Sequence, residues 1–234
     1  MTPARTLVVV AVDAERRALG ERCLSDSQVT VAVAGIGRTN AAACVAEHLA
    51  RADAESRPFI AVVGAGIAGS LPGSGLSIGD CVVASECVYV EEGIELPGGF
   101  MGMEGLGFAL GDFPANRVPV DPGLLAMFAP LGHVGPVATV ATCSGTDRAA
   151  SEVVRRTAAL CEAMEGAAVV HAARRAGIPA IEIRAISNTT GERERQEWRL
   201  QDALAALSAV GDAVVTATAQ LPPGASRAGP PRRA

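Results

Sequence analysis

The stretch "FIAVVGAGIAGSL", residues 59–71, decides the fold class of this chain. Its apolar first half predicts a buried strand over residues 59–64. The strand leads directly into glycines at positions 64, 66 and 69, which have the G-x-G-x-x-G spacing of dinucleotide-binding loops. This spacing raises the question of whether the glycines bind a phosphate or serve another purpose.

The residues after the glycines argue against a dinucleotide site. In that motif a helix must begin at the glycines, because its N-terminus binds the pyrophosphate. The segment that follows here is "SLPGSGLSIGD", residues 70–80, whose proline and glycines exclude a regular helix. Two roles remain for the glycines, since they allow either a ligand or a neighbouring strand to approach the backbone closely.

Strand-like and helix-like patterns alternate along the rest of the chain. Further strands are predicted at 6–12, 29–35, 79–90, 134–142, 160–164 and 180–187, and helices at 14–20, 38–51, 121–130, 165–176 and 194–219. Residues 91–119 lack a clear period and are predicted to form a long loop near a site. The alternation indicates an α/β fold, namely a single-domain three-layer α/β/α sandwich with a mixed central sheet over residues 1–220. The Pro/Gly/Arg-rich tail, residues 221–234, is predicted to be disordered.

The composition narrows the classes of function. The net charge is −5 and no basic stripe precedes the tail, so nucleic acid is not an expected partner. All 20 basic residues are arginine, which excludes lysine Schiff-base and P-loop chemistry. The six cysteines and three histidines are scattered, so we expect no metal site, no cofactor, and reduced thiols in a cytoplasmic protein. No apolar run approaches the length of a membrane span, and no membrane partner is expected.

Three polar side chains follow predicted strands, which is where open α/β sheets place their ligands. Glu15 follows the first strand, Glu165 follows the strand at 160–164, and Asn188 follows the strand at 180–187. Each has a purely structural alternative, because a glutamate suits the first turn of a helix and an asparagine suits a turn or an N-cap. Together, the three predict a polar cluster suited to a ligand with several hydroxyls and a heterocycle.

Short motifs spread over residues 6–215 resemble those of a known superfamily. "AVDAE", "AGIGRTNAA", "GAGIAGSL", "IGDCVV", "CSGT", "AMEGAA" and "IRAISN" occur in the order seen in the purine nucleoside phosphorylase/nucleosidase superfamily. Their spacing is similar to that of its methylthioadenosine/S-adenosylhomocysteine nucleosidase branch. Within that branch, "AGIAGSLPGS" and "ISNTTGERERQEW" resemble the futalosine hydrolase family.

The resemblance implies an N-glycosidic hydrolase that cleaves futalosine to hypoxanthine and dehypoxanthinylfutalosine in menaquinone biosynthesis. It implies that Glu15 activates the attacking water, and that Met164 and Glu165 lie under the ribose, whose hydroxyls the carboxylate holds. Asn188 stands where the adenine-cleaving enzymes carry an aspartate that acts on the base. The glycine segment is implied to line the nucleoside pocket through Gly66, Ile67 and Ala68.

The asparagine also indicates which purine leaves. Hypoxanthine presents an oxygen acceptor at position 6, to which an asparagine NH₂ donates while its carbonyl accepts from the ring NH. An ionised aspartate facing the same oxygen would bring two acceptors together, at a cost of about 1–3 kcal/mol. Asn188 therefore favours a 6-oxopurine over a 6-aminopurine. Because a neutral amide cannot protonate the departing base, another source of the proton is required.

Further substrate contacts are predicted in "TCSGT", residues 142–146, and at the start of the final helix. Thr142, Ser144 and Thr146 either contact the substrate or cap the following helix, and Gly145 between them is a predicted substrate contact. Arg193 either binds the carboxylate at the benzoate end of futalosine or is a solvated arginine at a helix start.

Three other functions stay open. An adenine-releasing nucleosidase, acting on aminodeoxyfutalosine or on methylthioadenosine/S-adenosylhomocysteine, conflicts with Asn188. A purine nucleoside phosphorylase needs several donors for its phosphate, for which Arg38 and Arg148 are the candidates. A non-catalytic nucleoside-binding protein would bind without turnover. The family resemblance also implies a homodimer or larger homo-oligomer with pockets near the interface.

Overall fold

The computed structural model describes residues 3–222, and the predicted tail beyond residue 222 lies outside the described residues. The strands are β1 (Thr6–Val10), β2 (Val29–Val33), β3 (Ala61–Ser70), β4 (Cys81–Tyr89), β5 (Gly93–Leu96), β6 (Gly99–Gly102), β7 (Arg117–Pro119), β8 (His133–Thr139), β9 (Cys161–Ala163) and β10 (Ala180–Thr189). The helices are α1 (Asp13–Ala18), α2 (Gly20–Ser25), α3 (Arg38–Ala54), α4 (Pro122–Phe128), α5 (Asp147–Thr157), α6 (Gly166–Arg175) and α7 (Leu200–Gln220).

The central sheet is mixed, and the predicted α/β fold class is confirmed. Parallel pairs join β1 to β2 and β3, β3 to β10, and β8 to β4 and β9. The pairs β10–β4, β3–β9 and β4–β7 are antiparallel. Because β9 pairs with β8 on one side and with β3 on the other, the strands β3, β10, β4, β8 and β9 close into a ring. The strand patterns did not indicate this closure.

Two groups of helices pack against the sheet. The helix α3 packs on α6, which contacts β3, β8 and β10, whereas α7 packs on α1 and α2 and contacts β10. The contacts are close because the side chains are small. At Gly211, for example, an added Cβ would lie 1.9 Å from the carbonyl oxygen of Leu19 between α1 and α2.

The strand β3 continues through the glycines, so the predicted end at residue 64 is wrong. Its parallel pairing with β10 runs from Val62 to Ser70, with one irregularity on β10 between Ile186 and Asn188. Glycine is unfavourable inside a strand, which is why the sequence pattern ends there. The glycines therefore lie within the sheet, and a turn and β4 follow them instead of a helix.

The prediction of one long loop over residues 91–119 is also wrong. The strands β5 and β6 form an antiparallel hairpin, and β7 pairs with β4. These strands have three or four residues each, which is too short for an alternation to show in the sequence. Nδ2 of Asn116 donates to the carbonyls of Tyr89 and Glu92, at 3.0 and 2.7 Å, and so ties the segment to the end of β4.

The final helix begins at Leu200, six residues later than predicted from residue 194. The preceding residues are held against β10, since the N–H of Arg199 donates to the carbonyl of Ser187 at 2.9 Å. One face of the helix is buried through Ala203, Leu207, Val210 and Val214, whereas Leu200 is 43% exposed. By length and composition alone α7 is able to cross a membrane, yet its buried face packs on the sheet as in a core helix.

Candidate active site

Two of the three predicted catalytic side chains meet at one buried arginine. Arg184, on β10, is 2% exposed, and its Nη2 lies 3.3 Å from Oε2 of Glu165. Its Nη1 and Oε1 of Glu15 both lie against Gly66, where an added Cβ would be 2.5 Å from the nitrogen and 2.6 Å from the oxygen. The sequence prediction did not include Arg184, because an arginine inside a strand gives no signal of what it pairs with.

Glu15 is held by three backbone amides. It is 3% exposed in the first turn of α1, and its Oε2 accepts from the N–H groups of Ala11 and Val12 at 2.8 and 3.1 Å. Its Oε1 accepts from the N–H of Ile67 on β3 at 2.9 Å. The structural role at a helix start is therefore present, but β3 adds a contact from a distant part of the chain. Since each carboxylate oxygen has two lone pairs, one acceptor position remains on Oε1.

Glu165 is fixed by groups from two different elements. It precedes the first residue of α6 and is 7% exposed. Its Oε1 accepts from the N–H of Gly37 at 3.0 Å, and its Oε2 accepts from Arg184. Gly37 has a φ of 94°, a backbone conformation that residues with side chains rarely adopt. The motif "AGIGRTNAA" thus supplies an amide that sequence reasoning did not assign. Met164 lies next to Glu165 and is partly buried.

The three glycines of the motif each make room for a different neighbour. An added Cβ would lie 3.3 Å from Cγ1 of Val169 at Gly64, between Glu15 and Arg184 at Gly66, and 2.9 Å from Nδ2 of Asn188 at Gly69. The close approach is therefore to the protein's own side chains. The backbone between the glycines is used in the same way, since the carbonyls of Ile67 and Ala68 accept from Arg184 and Ser187 at 3.4 and 3.2 Å.

Charge balance explains how the arginine is buried. Burial disfavours its cationic form, but the carboxylates of Glu182, Glu165 and Glu15 outweigh this effect and raise the pKa of the Arg184 guanidinium. Arg184 is therefore always charged. A buried charge requires such pairing, because an isolated ion away from water is strongly unfavourable. The cluster places one fixed cation among three carboxylates.

Asn188 lies further along the same strand. It belongs to β10 and is 7% exposed, so the predicted alternative of an N-cap for the final helix is wrong. Its Oδ1 accepts from Oγ of Ser187 and its Nδ2 donates to the carbonyl of Thr189, both at 2.8 Å. One N–H and one lone pair of the amide remain for a ligand.

The register of the sheet relates Asn188 to the glutamates. Arg184 pairs with Gly66 and Asn188 pairs with Gly69, three residues further along β3. At the rise of an extended strand, this spacing is about 10 Å. Among the described residues no hydrogen bond joins Asn188 to Glu15 or Glu165. The structure thus places the two glutamates beside the same arginine, and it places Asn188 about 10 Å further along the sheet.

The predicted contacts at residues 144–145 and Arg193 lie next to each other. The N–H of Arg193 donates to the carbonyl of Gly145 at 3.0 Å, and Nε2 of Gln196 donates to the carbonyl of Ser144 at 2.9 Å. The guanidinium of Arg193 lies over the ring of Trp198, 4.8 Å from its centroid. Arg193, Gly145 and Thr142 are exposed, so these side chains and this backbone face solvent.

Ser144 is instead bound to a buried carboxylate. Its N–H and its Oγ both donate to Glu162 at 2.6 Å, and Ser144 is 3% exposed. Burial raises the pKa of Glu162, an effect that the two hydrogen bonds from Ser144 partly offset. Thr146, at the end of the same stretch, caps α5 by accepting from the N–H of Ala149 at 3.1 Å. The capping alternative therefore holds for the threonine.

Among the cavities on the described part of the chain are four of about 260, 320, 380 and 510 Å³, and these four are not lined by Glu15, Glu165 or Asn188. Within residues 3–222, no group of three or more His, Cys, Asp or Glu side chains is placed to hold a metal ion. The six cysteines are unpaired. The candidate site is thus identified by its buried polar side chains and not by one of these cavities or by a metal cluster.

Comparisons with known proteins show the family of the chain. A family model described as the phosphorylase superfamily matches residues 14–216. The chain is 40% identical to the futalosine hydrolase of Streptomyces coelicolor over 181 residues, which cover 76% of this chain and 75% of that protein. It is 38% identical to the futalosine hydrolase of Thermus thermophilus over 180 residues, which cover 74% and 75%.

Solved structures share the fold. The S-adenosylhomocysteine nucleosidase of Streptococcus pyogenes, in complex with 5-methylthiotubericidin, matches with a TM-score of 0.74 and 22% identity over 95% of this chain and 99% of that chain. The futalosine hydrolase of Helicobacter pylori matches with a TM-score of 0.74 and 17% identity over 92% and 98%. From the family model and the sequence identities, the chain belongs to the phosphorylase superfamily and, within it, to the futalosine hydrolase family.

Proposed function

We propose that this protein hydrolyses the N-glycosidic bond of futalosine, releasing hypoxanthine and dehypoxanthinylfutalosine, in menaquinone biosynthesis. The observation that carries the proposal is the convergence of Glu15 and Glu165, from distant parts of a futalosine hydrolase family chain, on Arg184. The nucleoside then lies along β3, with its ribose near this cluster and its base near Asn188.

The mechanism follows from the charges that develop in the reaction. Breaking the bond leaves cationic character on the sugar and negative charge on the purine. Glu15 takes a proton from the attacking water through the open position on Oε1. Glu165 stabilises the sugar cation and holds its hydroxyls, with Met164 beside the ribose. Asn188 uses its remaining N–H and lone pair to bind the 6-oxopurine edge, and the departing purine takes its proton from solvent.

The remaining predicted contacts bind the rest of the substrate. Gly66, Ile67 and Ala68 form the floor along β3. Residues 142–145 line the far side, through the exposed Thr142 and Gly145 and through an acceptor position on Ser144. Arg193 binds the carboxylate at the benzoate end, because an exposed guanidinium already placed over an indole is preorganised for a planar anion.

The surroundings of Arg38 favour water over phosphate as the attacking group. Nη1 of Arg38 lies 2.5 Å from Oε1 of Glu92 and 3.4 Å from Oε2 of Glu91. A guanidinium engaged by two carboxylates is a poor site for a phosphate anion. Arg148, the other candidate, is exposed. These contacts support hydrolysis rather than phosphorolysis.

The direct test is to incubate the purified protein with futalosine in phosphate-free buffer and to measure free hypoxanthine by chromatography. We expect hypoxanthine release that does not increase when phosphate is added. Aminodeoxyfutalosine and methylthioadenosine, tested in parallel, should be cleaved more slowly. Absence of hypoxanthine at every pH tested would contradict the proposal, and a requirement for phosphate would indicate a phosphorylase.

Asn188→Asp should shift the base preference from hypoxanthine to adenine. On futalosine, the carboxylate faces the 6-oxygen, and we expect kcat/KM to fall about 5- to 150-fold, which corresponds to about 1–3 kcal/mol for two opposed acceptors. On aminodeoxyfutalosine, whose 6-amino group is a donor, kcat/KM should rise. A general loss of activity lowers both values of kcat/KM and leaves their ratio unchanged, so the ratio reports base preference alone. An unchanged ratio would contradict the role of Asn188 in recognising the base.

We also propose a cytoplasmic location and a homodimer or larger homo-oligomer. The six unpaired cysteines support the location. Exposed apolar side chains in and after the hairpin support the assembly, since such groups mark interaction surfaces. They are Ile94, Leu96, Met101 and Phe108. Light scattering should give at least twice the chain mass of 23.7 kDa, and a monomeric mass would contradict the assembly.

A further inference from the structure

Glu182 is a buried carboxylate to which the mechanism above gives no role. It lies on β10 two residues before Arg184, is fully buried, and accepts from Nε of Arg184 at 2.7 Å through Oε1. Within the described residues its Oε2 has no hydrogen-bond partner. Room for it is made at the start of α6, because a Cβ on Gly166 would lie 1.8 Å from its carboxyl carbon. A neighbouring thiol, Cys87 on β4, has its pKa raised by burial and by Glu182, so it stays protonated.

Folding stability is a poor explanation for this carboxylate. Burying an ion in the protein interior is unfavourable unless its partners compensate fully, and one oxygen of Glu182 is left without a hydrogen bond. Arg184 already has a counter-charge in Glu165. A second buried carboxylate on the same guanidinium is therefore not needed for neutrality.

The bond to Glu182 fixes the orientation of the arginine. Each guanidinium nitrogen has its own partner, with Nε on Glu182, Nη2 on Glu165 and Nη1 on the carbonyl of Ile67. With Nε on Glu182 and Nη2 on Glu165, the side-on pair of N–H groups on these two nitrogens is not available for two parallel bonds to Glu15. Glu15 therefore lies beside Arg184 without forming a bidentate ion pair with it.

We propose that Glu182 is a positioning residue for the hydrolysis, which holds Arg184 by Nε and adds a negative charge next to it, so that Glu15 remains available to take a proton from water. The inference rests on the proposed function, in which Glu15 is that base.

The other charged groups around Glu15 are already paired with one another. On its own helix, Asp13 forms ion pairs with Arg16 and Arg17. The helix α7, which packs on α1 and α2, carries its charges in two further pairs. These are Arg199 with Asp202, and Arg22 of α2 with Asp212. The groups left to set the charge at Glu15 are thus Arg184, Glu182 and Glu165.

The test is the pH profile of Glu182→Gln, which removes the charge and keeps an oxygen for Nε. With less negative charge nearby, the ionised form of Glu15 is stabilised, so the acidic limb of kcat/KM should move to lower pH by about one unit. A weaker base should also lower kcat about tenfold. KM should stay near the wild-type value, because Glu182 does not touch the substrate. Glu182→Asp keeps the charge, and its acidic limb should stay in the wild-type position.

Glu162→Gln is the matched control, because Glu162 is also a buried carboxylate but binds Ser144 instead of the arginine. The acidic limb of the kcat/KM profile of this variant should stay in the wild-type position, even where its KM changes. The comparison with Glu182→Asp does not require Glu182→Gln to fold, because Glu182→Asp keeps the charge but shortens the reach to Nε of Arg184; its limb should stay in place while its kcat falls.

An unmoved limb in Glu182→Gln, a shift shared by Glu162→Gln, or a moved limb in Glu182→Asp would overturn the proposal. Absence of hypoxanthine release by the wild-type protein would instead overturn the proposed function.

Discussion

Glutamine in place of Glu15 should lower kcat for hypoxanthine release about 10³-fold, because an amide cannot take a proton from water and a general base contributes about 10²–10⁴-fold. Binding of futalosine, measured by calorimetry, should be nearly unchanged. A non-catalytic binding protein predicts no such loss, so the variant separates the two functions.

The same variant should also be less stable. The carboxylate of Glu15 accepts from three backbone amides, at Ala11, Val12 and Ile67. In glutamine one of the two acceptor atoms becomes a donor, so at least one N–H faces another N–H, and the free energy of unfolding should fall by about 1–3 kcal/mol. Glu21→Gln, on the exposed first turn of α2, is the matched control and should keep both activity and stability. Wild-type kcat in a folded Glu15→Gln variant would show that another group is the base.

Alanine at Gly66 should reduce kcat/KM at least 10²-fold, although the change adds only one methyl group. Its Cβ would lie 2.5 Å from Nη1 of Arg184 and 2.6 Å from Oε1 of Glu15, so both side chains must move. A displacement of about 1 Å at a reacting group is enough to reduce the rate about 10²-fold.

The neighbouring glycine Gly64 supplies the control. Alanine there meets Cγ1 of Val169 at 3.3 Å, a tight contact that a small adjustment of α6 relieves, and it touches neither Glu15 nor Arg184. We expect Gly64→Ala to keep most of the activity. Steady-state kinetics on the two variants, with thermal unfolding to confirm that both are folded, gives the comparison. Equal activity of the two would mean that the contact at Gly66 does not position the cluster.

The sequence was sufficient for the fold class, whereas the catalytic roles of the two glutamates stay a prediction. Glu15 and Glu165 stand out in the sequence because they follow strands, and the structure places both beside one arginine. Arg184 and Glu182 were not found, because "AIEIRAIS" alternates apolar and polar residues as a strand with one solvated face does. Both faces of β10 are in fact buried, and only the tertiary structure shows that the polar residues of this strand pair with each other.

The errors along β3 and β10 have a common physical cause. Glycine ends a strand in most sequence patterns, yet the glycines of β3 remain paired because β10 runs beside them as far as Ser70. For the same reason Asn188 lies inside β10 and not in a turn after it. Local propensity reflects only the neighbouring residues in the sequence. The conformation of β3 and β10 depends instead on their pairing with each other and on the space that the side chains beside the glycines need.

The position of β10 within the ring of strands has a consequence for synthesis. This strand is the last of the ring to leave the ribosome, and it lies between β3 and β4. Until residue 189 has emerged, β3 and β4 each have an unpaired edge, which is a surface on which nascent chains aggregate. Arg184 lies on the same strand. The ring of strands and the pairing of the buried charges are therefore both completed late, when β10 is added. Truncated chains that stop before this strand should therefore be captured by chaperones or degraded.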